Sequence, residues 1–277
     1  MALFTNKRAL IYGGGKGIGA AIAQAFAQRG AGVAVADIDF SAAMTTVAAI
    51  TTAGSVAVAI GCDVTAADSV RAAAAQAETA LGEIDIVVNN VGSLVAGNPE
   101  DIPLSEWQRI MDLNLFSIVR SNDYFLPKML ARGSGYIVNT ASFAGLYPYA
   151  AARLPYVASK AAVVALTESL ALYLLPQGVK VSCFCPGPVM TGVMDGVKTW
   201  TENLSRTGPG AEFALLTATQ AADALVAGMC AERIVIPTHD HVLAVMQQHA
   251  ADPDQFVHDK IAAFASGATG LPVMNPG

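Results

Sequence analysis

Arg8-Ala9-Leu10-Ile11-Tyr12 runs into Gly13-Gly14-Gly15-Lys16-Gly17-Ile18-Gly19, and an apolar-periodic stretch, Ile22 to Arg29, follows. A short apolar run, a glycine cluster and helical periodicity predict a strand, a tight turn and a helix. Backbone amides at a helix start can face a pyrophosphate with no side chain between them. The spacing here is Gly-x-x-x-Gly-x-Gly, not the more familiar Gly-x-Gly-x-x-Gly, and taken alone it also fits a bare strand-to-helix turn.

The next unit gives the glycines a context. Ala31 to Ala36 alternates as a second strand and closes on Asp37, ~20 residues past the turn, where an acid can accept both ribose hydroxyls of an adenosine and repel a 2′-phosphate. Asp37 favours NAD over NADP; Lys16 pulls the other way, because it could meet a phosphate. An acid there would equally suit a helix start. Strand-like runs continue at Val56 to Ile60, Ile84 to Val88, Tyr136 to Ser142 and Val179 to Cys185, and Arg233 to Thr238 reads as a last strand. Helical stretches fall at Asp68 to Leu81, Leu104 to Leu130 and Tyr156 to Leu175, with His239 to Gln248 and Pro253 to Ala265 beyond them. The alternation predicts an α/β fold: a Rossmann-like, doubly wound parallel sheet with helices on both faces, as one domain over residues 1–277. In such sheets ligands sit beyond the carboxyl ends of the strands. Gly13 to Gly19, Asp37, Asp63 and Asn89 to Gly92 all fall there.

Composition narrows the classes. Hydrophobic residues make up 53% of the 277 and charged residues 14%, with a mean hydropathy of +0.46. The most apolar region, Ala161 to Leu175, is interrupted by Thr167, Glu168 and Ser169 and falls short of the ~20 residues a spanning helix needs, so it reads as a buried helix with no membrane partner. Met1 to Lys7 lacks an apolar core and cleavage site, so no export is expected. A net charge of −6 and a pI near 5.1 argue against nucleic acid. Cys62, Cys183, Cys185 and Cys230 form no CxxC pair and read as small buried hydrophobes of a cytoplasmic protein; Cys183 and Cys185 share one side of a strand. His239-Asp240-His241 lacks further ligands at metal-site spacing, and no metal is expected.

Chemistry enters at Tyr156-Val157-Ala158-Ser159-Lys160. Four residues apart on a helix, phenol and ammonium share a face one turn apart. A free phenol, with a pKa of about 10, is a poor base at neutral pH, and a nearby fixed cation favours phenolate. Such a pair also occurs by chance on helix surfaces, so the weight lies on the rest of the chain. Asn114 stands among apolar neighbours and needs partners, since an unsatisfied buried amide costs about 1–3 kcal/mol.

Gly13-x-x-x-Gly17-x-Gly19, Asn89-Asn90-Val91-Gly92, Asn114, Ser142, Tyr156-x-x-x-Lys160 and Pro186-Gly187-Pro188-Val189-Met190-Thr191 resemble, in order, the successive motifs of the short-chain dehydrogenase/reductase family. The resemblance covers residues 7 to about 191 and implies a dinucleotide-binding domain that carries its own catalytic residues. It implies that Gly13, Gly17, Ile18 and Gly19 shape the pyrophosphate turn, that Asp37 and Ile38 meet the adenosine ribose, and that Asp63 and Val64 flank adenine. Asn90 and Gly92 would approach the ribose on the nicotinamide side, and Pro186, Gly187, Val189 and Thr191 would cover the nicotinamide. Tyr156 would be the acid/base, Lys160 would depress its pKa and hold the ribose, Ser142 would bond the substrate oxygen, and Asn114 would order a water leading from Lys160. Tyr12 stands where the family usually has threonine, Val91 where it has alanine, and the C-terminal strand lacks the usual glycine signature.

Residues 190–217 read as a substrate lid, with Met190, Met194, Trp200, Leu204 and Phe213 among polar, glycine and proline residues. Leu94, Val95, Tyr147 and Tyr149 join them as candidate walls, and Leu94, Tyr149, Met190 and Met194 are the expected substrate contacts. Arg153, Lys198 and Arg206 are the nearby cations, none an obvious carboxylate clamp. Residues 239–277 are expected to form divergent C-terminal helices and an extended tail from Ser266. The expectation is an NAD-dependent oxidoreductase acting on a hydrophobic secondary alcohol or ketone, aromatic or alicyclic. It would assemble as a homodimer or homotetramer through the helices of Asn114 and Tyr156. An NADP-preferring carbonyl reductase and a dinucleotide-sensing regulator without turnover are the alternatives.

Overall fold

The computed structural model describes residues 3–192, 197–205 and 207–271. The elements run β1 (Arg8–Tyr12), α1 (Gly17–Ala27), β2 (Gly32–Asp37), α2 (Phe40–Thr52), β3 (Ala57–Gly61), α3 (Ala67–Leu81), β4 (Ile86–Asn89), α4 (Leu104–Met111), α5 (Ser117–Arg132), β5 (Gly135–Thr140) and α6 (Leu154–Leu174). Then come β6 (Val179–Cys185), β7 (Val189–Met190), β8 (Leu216–Thr217), α7 (Ala218–Cys230), β9 (Val235–Pro237), α8 (Val242–Ala251) and α9 (Pro253–Ala265). Seven strands pair in parallel in the order β3-β2-β1-β4-β5-β6-β9, while β7 and β8 form a separate two-residue ladder. The order reverses beside β1, whose Tyr12 pairs with Ala36 of β2 on one side and Asn89 of β4 on the other. The glycine turn therefore opens at the crevice where a ligand fits such sheets.

Strand side chains alternate between two cores. Ala9 and Ile11 face Ile22 and Phe26 of α1 and Leu225 and Met229 of α7; Leu10 and Tyr12 face Val70 of α3, Phe125 of α5 and Leu174 of α6. With both faces covered, the strands read as continuous apolar runs. Tyr12, in the threonine position, is buried, and its hydroxyl reaches the Val70 carbonyl at 3.4 Å, on the α3 side of the sheet. A buried polar ladder fixes α6 on the sheet: Asn89 Nδ2 donates to Asn139 Oδ1 at 2.9 Å, and Asn139 Nδ2 donates to Thr167 Oγ1 at 3.1 Å.

Four expectations change. The stretch 104–130 is not one regular helix; a π-helical turn, Asp112–Phe116, separates α4 from α5 and turns Asn114 inward. Ser142 lies beyond β5, where its Oγ accepts the Ala144 N–H at 3.2 Å and starts a 3-10 turn. The loop 143–155 is packed, with Phe143, Tyr147 and Tyr149 buried. The helical run around α6 extends over Ala151–Gln177, long and apolar enough by length and composition to cross a membrane, contrary to the count made on Ala161 to Leu175. That run packs on β6 and buries Ser159, Lys160 and Thr167, which makes it a core helix of this sheet. The C-terminal tail also differs in its described part: Thr269 and Gly270 accept hydrogen bonds from Gly208 and Gly210 at 2.8 and 2.9 Å, tying it to the chain ahead of β8.

Candidate active site

The groove beyond the strand ends, about 420 Å³, gathers residues scattered through the chain: Gly13, Gly17 and Ile18, Asp37 and Ile38, Asp63 and Val64, Asn90 and Gly92, Ser142, Tyr156 and Lys160, and Pro186, Gly187, Val189 and Thr191. Two of the glycines adopt backbone angles that only glycine takes easily, with φ of +74° at Gly13 and +54° at Gly17. At Gly19 the reason is space, because a Cβ would lie 1.9 Å from the Gly13 carbonyl oxygen and 2.7 Å from Asn90 Nδ2. Asn90 Nδ2 donates to that same carbonyl at 3.1 Å, and Thr140 Oγ1 donates to Asn90 Oδ1 at 3.3 Å, so the end of β4 braces the turn.

At the far end of the groove, Asp37 accepts the N–H of Gly15 at 2.9 Å and that of Asp39 at 3.0 Å. Its carboxylate is thereby held at the end of β2. Lys16 Nζ pairs with Asp39 at 2.7 Å, an exposed bond that holds the Asp39 carboxyl below its ordinary range. The charge that argued for a second phosphate is thus already engaged. Asp63 accepts from Thr65 N–H and Oγ1 at 2.9 and 2.7 Å, and these bonds lower its pKa. Ile38 stands 75% exposed at the rim.

The end of the site that holds Tyr156 and Lys160 is buried and cross-braced. Asn114 Nδ2 donates to the Ser93 carbonyl and to Ser159 Oγ, both at 2.9 Å, while its Oδ1 accepts the Ser93 N–H at 2.9 Å. Ser159 Oγ in turn donates to the Tyr156 carbonyl at 2.8 Å, so the π-helical turn is tied to the first turn of α6. Lys160 Nζ donates to the Thr140 carbonyl at 2.7 Å, and burial lowers its pKa to about 8. A Cβ on Gly92 would stand 3.1 Å from that nitrogen, which explains a glycine there. Burial raises the Tyr156 phenol, and a hydrogen bond with Ser142 and the charge of Arg153 pull it back down. Lys160 Nζ lies 5.7 Å from the Tyr156 ring centre while donating to the Thr140 carbonyl.

The loop from Pro186 to Thr191 is pinned from behind. Phe143 N–H donates to the Pro186 carbonyl at 3.0 Å, Gly187 N–H to Thr238 Oγ1 at 2.9 Å, and Val189 pairs with Leu216. His239, buried, bonds Thr238 Oγ1 and the Ala214 carbonyl at 3.0 and 2.9 Å, a packing role. Among the described residues no group of three metal-ligating side chains is present.

Of the four expected substrate contacts, Leu94 and Tyr149 are buried, Met190 is 59% exposed, and none of these three is among the groove's lining; Met194 lies outside the described residues, as does the nearby cation Arg206. The groove also takes in Lys16, weighed in the sequence as a phosphate contact, and Cys62, Leu113, Thr140 and Ala141, which the sequence did not assign to it. Thr140 and Ala141, at the end of β5 just before Ser142, could have been read from the strand boundary; Cys62 and Leu113 carry no motif.

A dinucleotide fits what is present: a turn whose Cβ positions are denied by the backbone, a fixed acid at the end of β2, and a hydroxyl, phenol and ammonium at the other end of one groove. Fold and site together define an oxidoreductase of the nicotinamide-dinucleotide class. Residues 7–202 match the short chain dehydrogenase family, and the chain belongs to that family. It is 40% identical over 186 residues, 66% of this chain and 72% of the relative, to a 2-(S)-hydroxypropyl-CoM dehydrogenase of Xanthobacter autotrophicus. It is 37% identical over 189 residues, 68% of this chain and 75% of the relative, to a cyclohexanol dehydrogenase of Acinetobacter sp.. Among solved structures, a short chain dehydrogenase/reductase from Burkholderia phymatum in complex with NAD superposes with a TM-score of 0.80 at 30% identity, covering 91% of this chain and 95% of that one. These likenesses support secondary-alcohol oxidoreductase chemistry for this chain.

Proposed function

We propose that this protein is an NAD-preferring dehydrogenase that interconverts a hydrophobic secondary alcohol, aromatic or alicyclic, and its ketone. The observation that carries the reading is the convergence of Ser142, Tyr156 and Lys160 at the end of the groove opposite Asp37. NAD, held by the glycine turn, Asp37 and the Pro186–Thr191 loop, would supply a hydride acceptor. In oxidation the Tyr156 phenolate takes the alcohol proton, and Ser142 donates to the oxygen as it becomes a carbonyl. Lys160, still charged below about pH 8, adds positive potential to the same region. NAD is preferred because Asp37 faces the adenosine end and Lys16 is paired with Asp39.

A neutral substrate is supported by the commitments of the nearby cations. Arg153 donates to the Thr207 carbonyl at 2.8 Å, and Lys198 pairs with Glu106 at 3.4 Å while lying over Trp200. Phe143, Tyr147, Tyr149 and Phe213 form an aromatic cluster behind Ser142, and one relative is named for a cyclic alcohol. Residues 190–217 act as the lid in this reading. The whole chain works as one domain, in a homodimer or homotetramer whose contacts use exposed apolar side chains such as Val119 of α5 and Leu172 and Tyr173 of α6. The four cysteines are free, with Cys62, Cys183 and Cys185 buried and Cys230, expected to be buried, exposed on the last turn of α7; reduced thiols support a cytoplasmic setting. Mixing the purified protein with NAD or NADP and a panel of hydrophobic secondary alcohols, while following reduced-nicotinamide absorbance, tests the reading. Turnover favouring NAD is expected; turnover favouring NADP would make it a carbonyl reductase of the other cofactor class, and cofactor binding without turnover would favour a sensor.

A further inference from the structure

The π-helical turn that carries Asn114 is held shut by side chains of the helix that follows it. Ser117 N–H reaches back to the Asp112 carbonyl, a wider closure than an α-helix makes. Ser117 Oγ donates to the Leu113 carbonyl at 2.6 Å. Arg120 adds its guanidinium: Nη1 donates to the Asp112 carbonyl at 3.4 Å, and Nη2 meets the Asp112 carboxylate at 2.5 Å. Side chains on a helix lean toward its N-terminus, so a long one at position 120 of α5 reaches back over the turn. A carbonyl oxygen has two lone pairs, and the Asp112 oxygen fills one with Ser117 N–H and the other with Arg120.

The same guanidinium crosses to a distant part of the chain. Arg120 Nη1 also donates to the Val64 carbonyl, at 3.3 Å, in the loop that follows β3. Val64 and Leu113 both line the groove, and both pack in the core cluster around Tyr12 and Val70. Next to Leu113, Asn114 is bonded to Ser93 and to Ser159 Oγ. The Arg120 side chain is 22% exposed, and Arg120 is not among the residues that line the groove. A planar fork can hold a carboxylate and two carbonyls at once, whereas a lysine ammonium is a single point of charge.

We propose that Arg120 is a positioning residue: it holds together two walls of the dinucleotide groove, the loop of Asp63 and Val64 and the turn of Leu113, and through that turn it sets the place of Asn114. Its influence on cofactor and chemistry passes through Val64, Leu113 and Asn114. The inference rests on the reading of the groove as the NAD site of an alcohol dehydrogenase.

Arg120→Met keeps much of the stem and removes every one of these bonds. Calorimetry with NAD and with ADP-ribose, which lacks the nicotinamide, should show both affinities lower by about three- to tenfold. A second readout needs no ligand. The Ser93 N–H, held by Asn114 Oδ1 at 2.9 Å, should exchange with solvent at least about fivefold faster in the variant, measured against the Val138 amide of β5 as the control for overall stability. In turnover, Arg120→Met should cost about three- to tenfold in kcat in the wild-type background and less than about twofold beside Asn114→Ala, since the loss runs through Asn114. Arg120→Lys keeps a charge beside Asp112 without the fork; it should lose at least about threefold in both affinities, and it carries the test if methionine prevents folding. Unchanged affinities would overturn the proposal, as would Ser93 exchange that merely follows Val138, or a kcat loss that adds in full to that of Asn114→Ala. If the wild-type protein turns over no alcohol, the functional reading fails on its own, and the affinities and the Ser93 exchange still decide the role of Arg120.

Discussion

Lys160→Met separates the chemistry of the site from the stability of the fold. The ammonium is buried at 3% exposure, and its pKa falls from 10.5 to about 8 because burial disfavours the charge. At about 1.4 kcal/mol per pH unit, holding Lys160 charged at pH 7 costs the folded state on the order of 3 kcal/mol. Methionine removes that cost and fills a similar stem, but strips the Thr140 carbonyl of its donor at 2.7 Å, a loss of about 1–3 kcal/mol. The balance leaves Lys160→Met as stable as the wild-type protein at pH 7, or more stable by up to about 2 kcal/mol. The pH dependence carries a sign of its own. Between pH 8 and 10.5 the unfolded chain holds a proton at Lys160 that the folded chain has released, so wild-type stability rises with pH through that window at this group. The variant lacks this rise, and its advantage shrinks as pH increases. Urea unfolding at pH 7 and pH 9.5, paired with turnover assays, measures both. Turnover is expected to fall at least about 100-fold while stability holds. A variant less stable by more than about 1 kcal/mol at pH 7, with a gap independent of pH, would refute the argument that Lys160 is a charge held at a cost for function.

Two further substitutions probe the cofactor end. Gly19→Ala places a Cβ 1.9 Å from the Gly13 carbonyl oxygen, so the turn must move; thermal unfolding should report a loss of about 1–3 kcal/mol, and calorimetry a fall in dinucleotide affinity of more than about tenfold. Retained affinity would show that the turn does not carry the pyrophosphate. Asp37→Ser removes a negative charge whose repulsion of a phosphate about 4 Å away amounts to about 4 kcal/mol per unit charge at an effective dielectric constant near 20. The ratio of kcat/KM for NAD to that for NADP should fall by more than about tenfold, and an unchanged ratio would remove Asp37 from cofactor selection.

The strands were legible because a parallel sheet covered on both faces turns each strand into an apolar run, as in Val33 to Ala36 and Val181 to Cys185. Two helices escaped notice. α2 is rich in alanine and threonine and α7 in alanine, both with weak contrast between faces, yet each begins with a readable cap: Asp39, whose side chain accepts the Ala42 N–H, and the Thr217–Gln220 capping box. Asn114, Ser142, Tyr156 and Lys160, the residues proposed for catalysis, could be named from their motifs, but their wiring could not. A π-helical turn at Asn114 leaves no mark on a sequence that otherwise reads as helix. The Lys160 bond to Thr140 and the nearness of Arg153 to Tyr156 depend on how a packed loop returns to the sheet. Spacing places Tyr156 and Lys160 on one face; only the fold shows that the lysine points at a backbone carbonyl.

The central claim is that Tyr156 moves the proton, and Tyr156→Phe tests it most directly. The wild-type protein should produce reduced-nicotinamide absorbance from NAD and hydrophobic secondary alcohols. Tyr156→Phe should lose at least about 100-fold in kcat while binding the dinucleotide within about twofold of wild type. Turnover left unchanged by the loss of that one hydroxyl would contradict the account.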